Sequence, residues 1–389
     1  MHSFEPPRRI LMGPGPSDVS PRVLAALARP TIGHLDPAFQ ALMEEIQAAL
    51  ARAMQAPGYA CVPLPAPGTA GMEAGLMNLL EPGDLAVVAV NGQFGERMID
   101  MAGRAGAEVL RVDHDWGMPV DPERVRAALR GRAVKLLAFV HAETSTGAMT
   151  DPGPLCELAS AAGALSLVDC VTSLGGIPVD AQGWGADVIY SGTQKCLSAP
   201  PGLAPLAVSP RARQAIADRK EKPRSWLLDV GLLMGYWSGE GGRTYHHTAP
   251  INALYGLHEA LAALFEEGLE AAHARHRRLH EAFAAGIEAA GLRFLVAPSH
   301  RLPQLNTVCV PDGIDEAQVR ARMLARYDLE IGAGLGPLRG KIWRIGLMGA
   351  SASPWHVRLC LTALADALAA QNHPDVLRAA LAAAEAKLG

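Results

Sequence analysis

Three charged residues set into apolar surroundings are the ones in this chain with the clearest chemical purpose: Asp169, Lys195 and Arg344. Lys195 stands in IYSGTQKCLS, a run of small and neutral residues that follows an apolar stretch and offers no acidic neighbour. An ammonium buried in a tight turn without a partner is costly, so the amine needs a chemical use. Asp169 ends the apolar run LSLVD, 26 residues earlier. Taken singly, an aspartate at a strand end is a cap or turn residue, and a lysine in a turn is unremarked. On two consecutive parallel strands the pair delivers a carboxylate and an amine to one rim. There they can hold a flat cationic heteroaromatic whose aldehyde is bonded to the amine. A carboxylate about 3 Å from the ring nitrogen gains roughly 5 kcal/mol of gross Coulomb energy at an effective dielectric of about 20. Half of that would move the nitrogen's pKa by about two units.

Pyridoxal phosphate is used in this manner, with a lysine as Schiff-base partner and an acid holding the pyridine nitrogen protonated. A phosphate site is offered by LPAPGTAGMEAGL, where a strand runs into Pro67, Gly68 and Thr69 and a helix begins. Free N–H groups and the positive end of the helix dipole can meet an anion there, although P-G-T before a helix is also a common turn with a cap. Arg344, in KIWRIGLMG, lies inside an apolar strand pattern. It reads either as a half-buried edge residue with its head in water or as a planar fork for a substrate carboxylate. In TYHHTAP, Tyr245 and His246 read as capping groups.

The elements that must position these groups follow an α/β pattern. Short apolar runs at 59–65, 84–90, 107–112, 134–141, 163–169, 187–191 and 203–209 alternate with Ala-rich stretches of helical spacing. That predicts a mainly parallel sheet flanked by helices, with chemistry at the carboxyl ends of strands. From about residue 266 a long Ala/His/Arg helix, then LNTVCVP, IDEAQVRARMLARY and KIWRIGLMG, predict a smaller C-terminal α+β domain. The expected division is an arm over 1–16, a large domain over 17–265 and a small domain over 266–389, in keeping with the length of 389 residues.

With 49% hydrophobic and 19% charged residues the chain is neither disordered nor fibrous. A net charge of −4 gives no footprint for nucleic acid, and the locally basic HARHRRLH (His273 to His280) reads as a solvated helix face. GAGLGP (Gly332 to Pro337) lacks the context of a dinucleotide fingerprint. Six scattered cysteines, without a C-x-x-C pair, predict reduced thiols and no metal site. The N-terminus lacks the apolar core of a signal peptide and no run approaches a membrane span, so the expected location is the cytoplasm.

Taken in order, GPGPSDVSPRVL, GTAGMEA, NGQFGERM, HAETSTG, VDCVTSLGG, YSGTQKCLSAPPG, TYHHTAP and GKIWRIGLMG resemble the class V, fold type I pyridoxal-phosphate aminotransferases, most of all their alanine–glyoxylate and serine–glyoxylate (or pyruvate) branch. The resemblance spans about residues 11 to 349. It implies that Lys195 forms the Schiff base and shuttles a proton between the amino acid's α-carbon and the cofactor, and that Asp169 pairs with the pyridine nitrogen. It implies Phe94 and Val171 on opposite ring faces, where many relatives have tryptophan in place of Phe94. It further implies Thr144 on the ring-hydroxyl side and Gly68, Thr69 and Gln194 at the phosphate, with Pro67 standing where relatives often have serine. Tyr245 and Thr248 would reach the phosphate of a neighbouring subunit, making a homodimer with shared sites. Arg344 would take the substrate carboxylate, and Gly15 and His34 would line the substrate pocket. The implied reaction is ping-pong transamination of alanine or serine with glyoxylate or pyruvate. A ureidoglycine–glyoxylate aminotransferase, a cysteine desulfurase or lyase of the same fold, and an inactive regulatory protein are the alternatives.

Overall fold

The computed structural model describes residues 1–237 and 243–388. Its centre is a seven-stranded sheet in the order Ala60–Leu64, Ala204–Val208, Val188–Tyr190, Leu165–Asp169, Val134–Val140, Leu85–Val90, Glu108–Asp113. Each of the seven predicted runs forms one strand. Six point the same way, whereas Ala204–Val208 is antiparallel to both neighbours. The four middle strands are nearly continuous runs of Val, Leu, Ala and Ile, as expected of a sheet covered on both faces.

Close packing of one helix on this sheet decides where the site lies. Helix Gly68–Leu79 presents Gly71 and Gly75 to the strands, where a Cβ would lie 3.0 Å from Tyr190 Cβ and 2.5 Å from Leu167 Cδ1. With glycine there, the helix axis approaches the sheet and its N-terminus is carried to the Ser191–Gly192 turn.

A second hydrophobic core surrounds a three-stranded antiparallel sheet ordered Leu305–Cys309, Ile342–Gly346, Gly332–Ala333. The long helix Leu269–Ala289 joins the two cores, giving Ala272 to the first and Leu279 onward to the second. That bridging place corrects the solvated-face reading of HARHRRLH at one position. His276 is fully buried, with Nδ1 on Ala272 O at 2.6 Å and Nε2 accepting from Gly349 N at 3.0 Å. Burial holds its pKa down at about 4, so the ring is neutral.

The N-terminal segment belongs structurally to the second core before it reaches the first. Ile10–Leu11 pairs in parallel with Leu329–Glu330, Gly346 N donates to Met12 O at 2.7 Å, and Met12 is buried within the second core. The chain then crosses to the large sheet, where Ser17 N donates to Gln194 O at 2.9 Å and Ser17 Oγ to Lys195 O at 2.8 Å.

Candidate active site

Asp169 is the last residue of its strand and stands in register with Tyr190, the last residue of the next. Both side chains therefore emerge on one face at the carboxyl edge, and the Tyr190 hydroxyl donates to Asp169 Oδ2 at 2.6 Å. Val171 N donates to the other oxygen at 2.8 Å. Burial pushes the Asp169 carboxyl up to about 6 despite these bonds and the nearby cations Lys195 and Arg97. A buried acid whose charge is only partly supported will favour a cationic ligand. Tyr190 was not singled out from the sequence, although its place at the end of DVIYS, one strand on from Asp169, was the available signal.

Lys195 and Arg344 are 7% exposed each, and neither forms a salt bridge among the described residues. Their described hydrogen bonds all go to backbone carbonyls: Lys195 Nζ to Pro14 O, and Arg344 Nε to Ala333 O at 2.7 Å with Nη1 to Thr144 O at 3.3 Å. Burial first, then the Arg344 charge, lowers the Lys195 amine to about 8. Burial lowers Arg344 to about 10, with Glu143 opposing, so it stays a cation. The reading of Arg344 as an edge residue with its head in water is thereby overturned. Two buried cations that lack carboxylate partners are groups kept ready for an anionic or carbonyl ligand.

The remaining sequence-derived candidates fall into two sets. Gly68 opens its helix beside Val171 and the Ser191–Gly192 turn: a Cβ at Gly68 would lie 3.2 Å from Val171 Cγ2 and 3.5 Å from Gly192 Cα. Pro67 precedes the helix without any side-chain cap bond, which leaves the first amides open. Thr69 accepts from Arg97 Nη1 at 3.1 Å, and the Arg97 guanidinium lies 4.7 Å over the Phe94 ring. Arg97 is a cation at the helix mouth that the sequence reading missed. Gln194 Oε1 is buried without a hydrogen-bond partner among the described residues. Thr144 Oγ1 contacts Thr172 Oγ1 at 2.5 Å. Gly15 abuts the lysine so closely that a Cβ there would be 2.5 Å from Lys195 Cδ.

The second set lies on the surface. Tyr245 is 64% exposed, its hydroxyl 3.1 Å from Thr248 Oγ1 and its ring 5.5 Å from that of His34. No hydrogen bond among the described residues ties these three to Asp169 or Lys195 within the chain. His246 Nε2 lies 3.0 Å from Trp226 O, in the loop ahead of helix Val230–Trp237, so this contact caps neither a helix nor a strand. A cavity of about 820 Å³ between helices Pro152–Ala161 and Leu269–Ala289 touches none of these residues. Cavity size alone would point away from the chemistry.

The groups fit a phosphorylated pyridine aldehyde. An under-supported carboxylate suits a pyridinium, a buried amine suits the aldehyde, and an uncapped helix N-terminus beside Arg97 suits a phosphate.

Comparisons with known proteins agree. The aminotransferase class-V family model matches residues 20–339. The chain is 40% identical to an alanine–glyoxylate aminotransferase of Callithrix jacchus, over 93% of this chain and 88% of that one. A crystal structure of an alanine–glyoxylate aminotransferase from Nostoc sp. superposes with a TM-score of 0.93 at 44% identity, covering 95% of this chain and 97% of the other. A ureidoglycine–glyoxylate aminotransferase from Bacillus subtilis superposes with a TM-score of 0.95 at 37% identity, covering 99% and 100%. With fold, charged groups and relatives in accord, the chain belongs to the class-V aminotransferases, fold type I enzymes that depend on pyridoxal phosphate.

Proposed function

We propose that this enzyme moves an amino group between a small amino acid, alanine or serine, and glyoxylate or pyruvate. The observation that carries the reading is the pair of buried cations, Lys195 and Arg344, whose described hydrogen bonds go to backbone carbonyls, beside the buried acid Asp169. When bound, pyridoxal phosphate supplies an aldehyde carbon for a primary amine and a pyridinium ring that accepts the electron pair left on a substrate α-carbon. Asp169, oriented by Tyr190 and Val171, holds the ring nitrogen's proton. The open amides at Gly68 and Thr69, with Gln194, hold the phosphate, and Arg97 makes up for the donor lost at Pro67. Phe94 and Val171 would confine the ring, and Thr144 would serve its hydroxyl side.

Arg344 grips the substrate α-carboxylate. Lys195 Nζ takes the proton from the α-carbon in the amino-acid half of the cycle and returns one in the keto-acid half. One Arg344 serves both substrates, so they bind in turn and initial-rate plots are parallel. Arg344→Lys loses the fork and is expected to raise KM for amino and keto acid by about 10- to 100-fold. Borohydride labelling of Lys195 should be unaffected in that variant, and unchanged KM values would move carboxylate recognition elsewhere.

Substrate size is read from Gly15, with His34 placed at the mouth of the partner's site. Gly15 lies against the lysine with no room for a side chain, which favours short donors. The ureidoglycine reading is separated by a half-reaction screen in which stopped-flow absorbance ranks alanine, serine and ureidoglycine. Faster reaction with ureidoglycine than with both others would replace the proposed donors.

Tyr245, Trp226 and Leu35, each more than 60% exposed, support a homodimer in which Tyr245 and Thr248 complete the partner's phosphate site. Six free cysteines support a reducing, cytoplasmic setting. The chain divides into an arm over 1–16, a large domain over 17–265 and a small domain over 266–389. Among the described residues no helix is long and apolar enough to cross a membrane.

A further inference from the structure

Glu143 is fully buried, and none of the roles assigned above uses it. It ends the short strand Ala142–Glu143, within HAETSTG. Three donors converge on its carboxyl group. Ser145 N at 2.9 Å and Ser145 Oγ at 2.6 Å reach Oε1, and Phe94 N at 3.2 Å reaches Oε2. Ser145 Oγ in turn accepts from Gln93 N at 2.9 Å.

These acceptors answer a deficit in another element. Helix Gln93–Arg104 starts from Gly92, which has no side chain with which to cap it. Orphan amides in a first helical turn need acceptors. Here they are supplied from a distant turn of the chain. Glycine at 92 is what admits them, because a Cβ there would lie 2.4 Å from Glu143 Cγ and Cδ and 2.5 Å from Ser145 Oγ. An amide nitrogen cannot accept and would leave one of the three donors unpaired, whereas an ionised carboxylate accepts from all of them and brings no hydrogen of its own. Burial pushes the group up to about 7, and the Ser145 and Phe94 bonds pull against that.

We propose that Glu143 is a positioning residue: as a carboxylate, together with Ser145, it stands in for the missing N-cap of the Phe94 helix and so sets the Phe94 ring against the cofactor. This rests on the assignment of Phe94 to the ring face given above. The same turn also holds the carboxylate fork, since the Thr144 carbonyl receives Arg344 Nη1. One anchored turn thus registers the ring cover against the substrate grip.

Glu143→Gln sets an NH₂ group against N–H or O–H donors, and Ser145→Ala removes the hydroxyl link to Gln93. Titrating pyridoxal phosphate into cofactor-stripped protein, followed by absorbance and visible circular dichroism, is expected to give a Kd about tenfold weaker for Glu143→Gln and about threefold weaker for Ser145→Ala. The induced dichroism per bound cofactor should fall in both, because the ring loses its fixed cover. Thermal unfolding of the stripped proteins is the control: a merely structural residue would lower the unfolding temperature and leave the dichroism per bound cofactor intact. If Glu143→Gln does not fold, Ser145→Ala carries the test. Wild-type Kd and dichroism in the folded variants would overturn the proposal. Failure of borohydride to label Lys195 in the wild type would instead remove the reading on which it rests.

Discussion

Replacing Lys195 with alanine is expected to slow each half-reaction by about 10⁴-fold, the upper range for a lost acid–base group. KM should change little, because Arg344 keeps its bonds to Ala333 and Thr144. Single-turnover absorbance measures both quantities, and a small primary amine added to the buffer should restore part of the rate. The pH dependence carries the sign of the mechanism. Lys195 must be neutral to take a proton, and burial beside Arg344 brings it down to about 8. The wild-type half-reaction rate at saturating amino acid should therefore climb with pH through a midpoint near 8 and level off above it, and the alanine variant should lose this limb. A variant rate within tenfold of wild type would remove Lys195 from the chemistry.

Asp169→Asn is expected to act in opposite directions on activity and on stability. An amide carries no charge to hold the ring nitrogen's proton, and forfeiting most of a gross interaction of roughly 5 kcal/mol should cost about 10³-fold in rate. The cofactor-free chain should nevertheless gain. In that state Asp169 sits at about 6, above its ordinary 3.8. A group raised in this way contributes stability that is whole below about pH 4 and is lost as pH rises through 6. Asparagine does not titrate, its oxygen can keep the Val171 bond, and its amide can donate to the Tyr190 hydroxyl. At pH 8 the stripped variant should exceed the stripped wild type by about 3 kcal/mol, the difference closing toward pH 4. Denaturant unfolding at the two pH values checks this. Equal stability at pH 8 would mean that the buried charge is not the cost it is taken to be.

Some of this site could be read from the chain and some could not, for reasons that differ by residue. Asp169 and Lys195 end or follow apolar runs short enough to be strands, and strand ends were the places to look. The seven runs were legible because a sheet covered on both faces needs unbroken apolar segments. Their directions were not: the pattern of Ala204–Val208 carries no sign of polarity, and the strand proved antiparallel. His276 was hidden because helical spacing marks a face without saying how many neighbours the helix has, and this one is packed between two cores. Tyr190, Arg97 and Glu143 were missed for a related reason. Each acts through a partner brought near by sheet register or helix docking, 21, 28 and 49 positions away in the chain.

The pairing of Ile10–Leu11 with Leu329–Glu330 has a consequence for the order of assembly. The opening strand has no partner until more than three hundred further residues have left the ribosome. Until then the segment that crosses over Lys195 can be tied to the large sheet at Ser17, through the Gln194 and Lys195 carbonyls, while its other end is unpaired. Full closure of the chain over the reactive amine thus waits on a contact between residues 10–11 and 329–330, one of the longest loops the fold has to close.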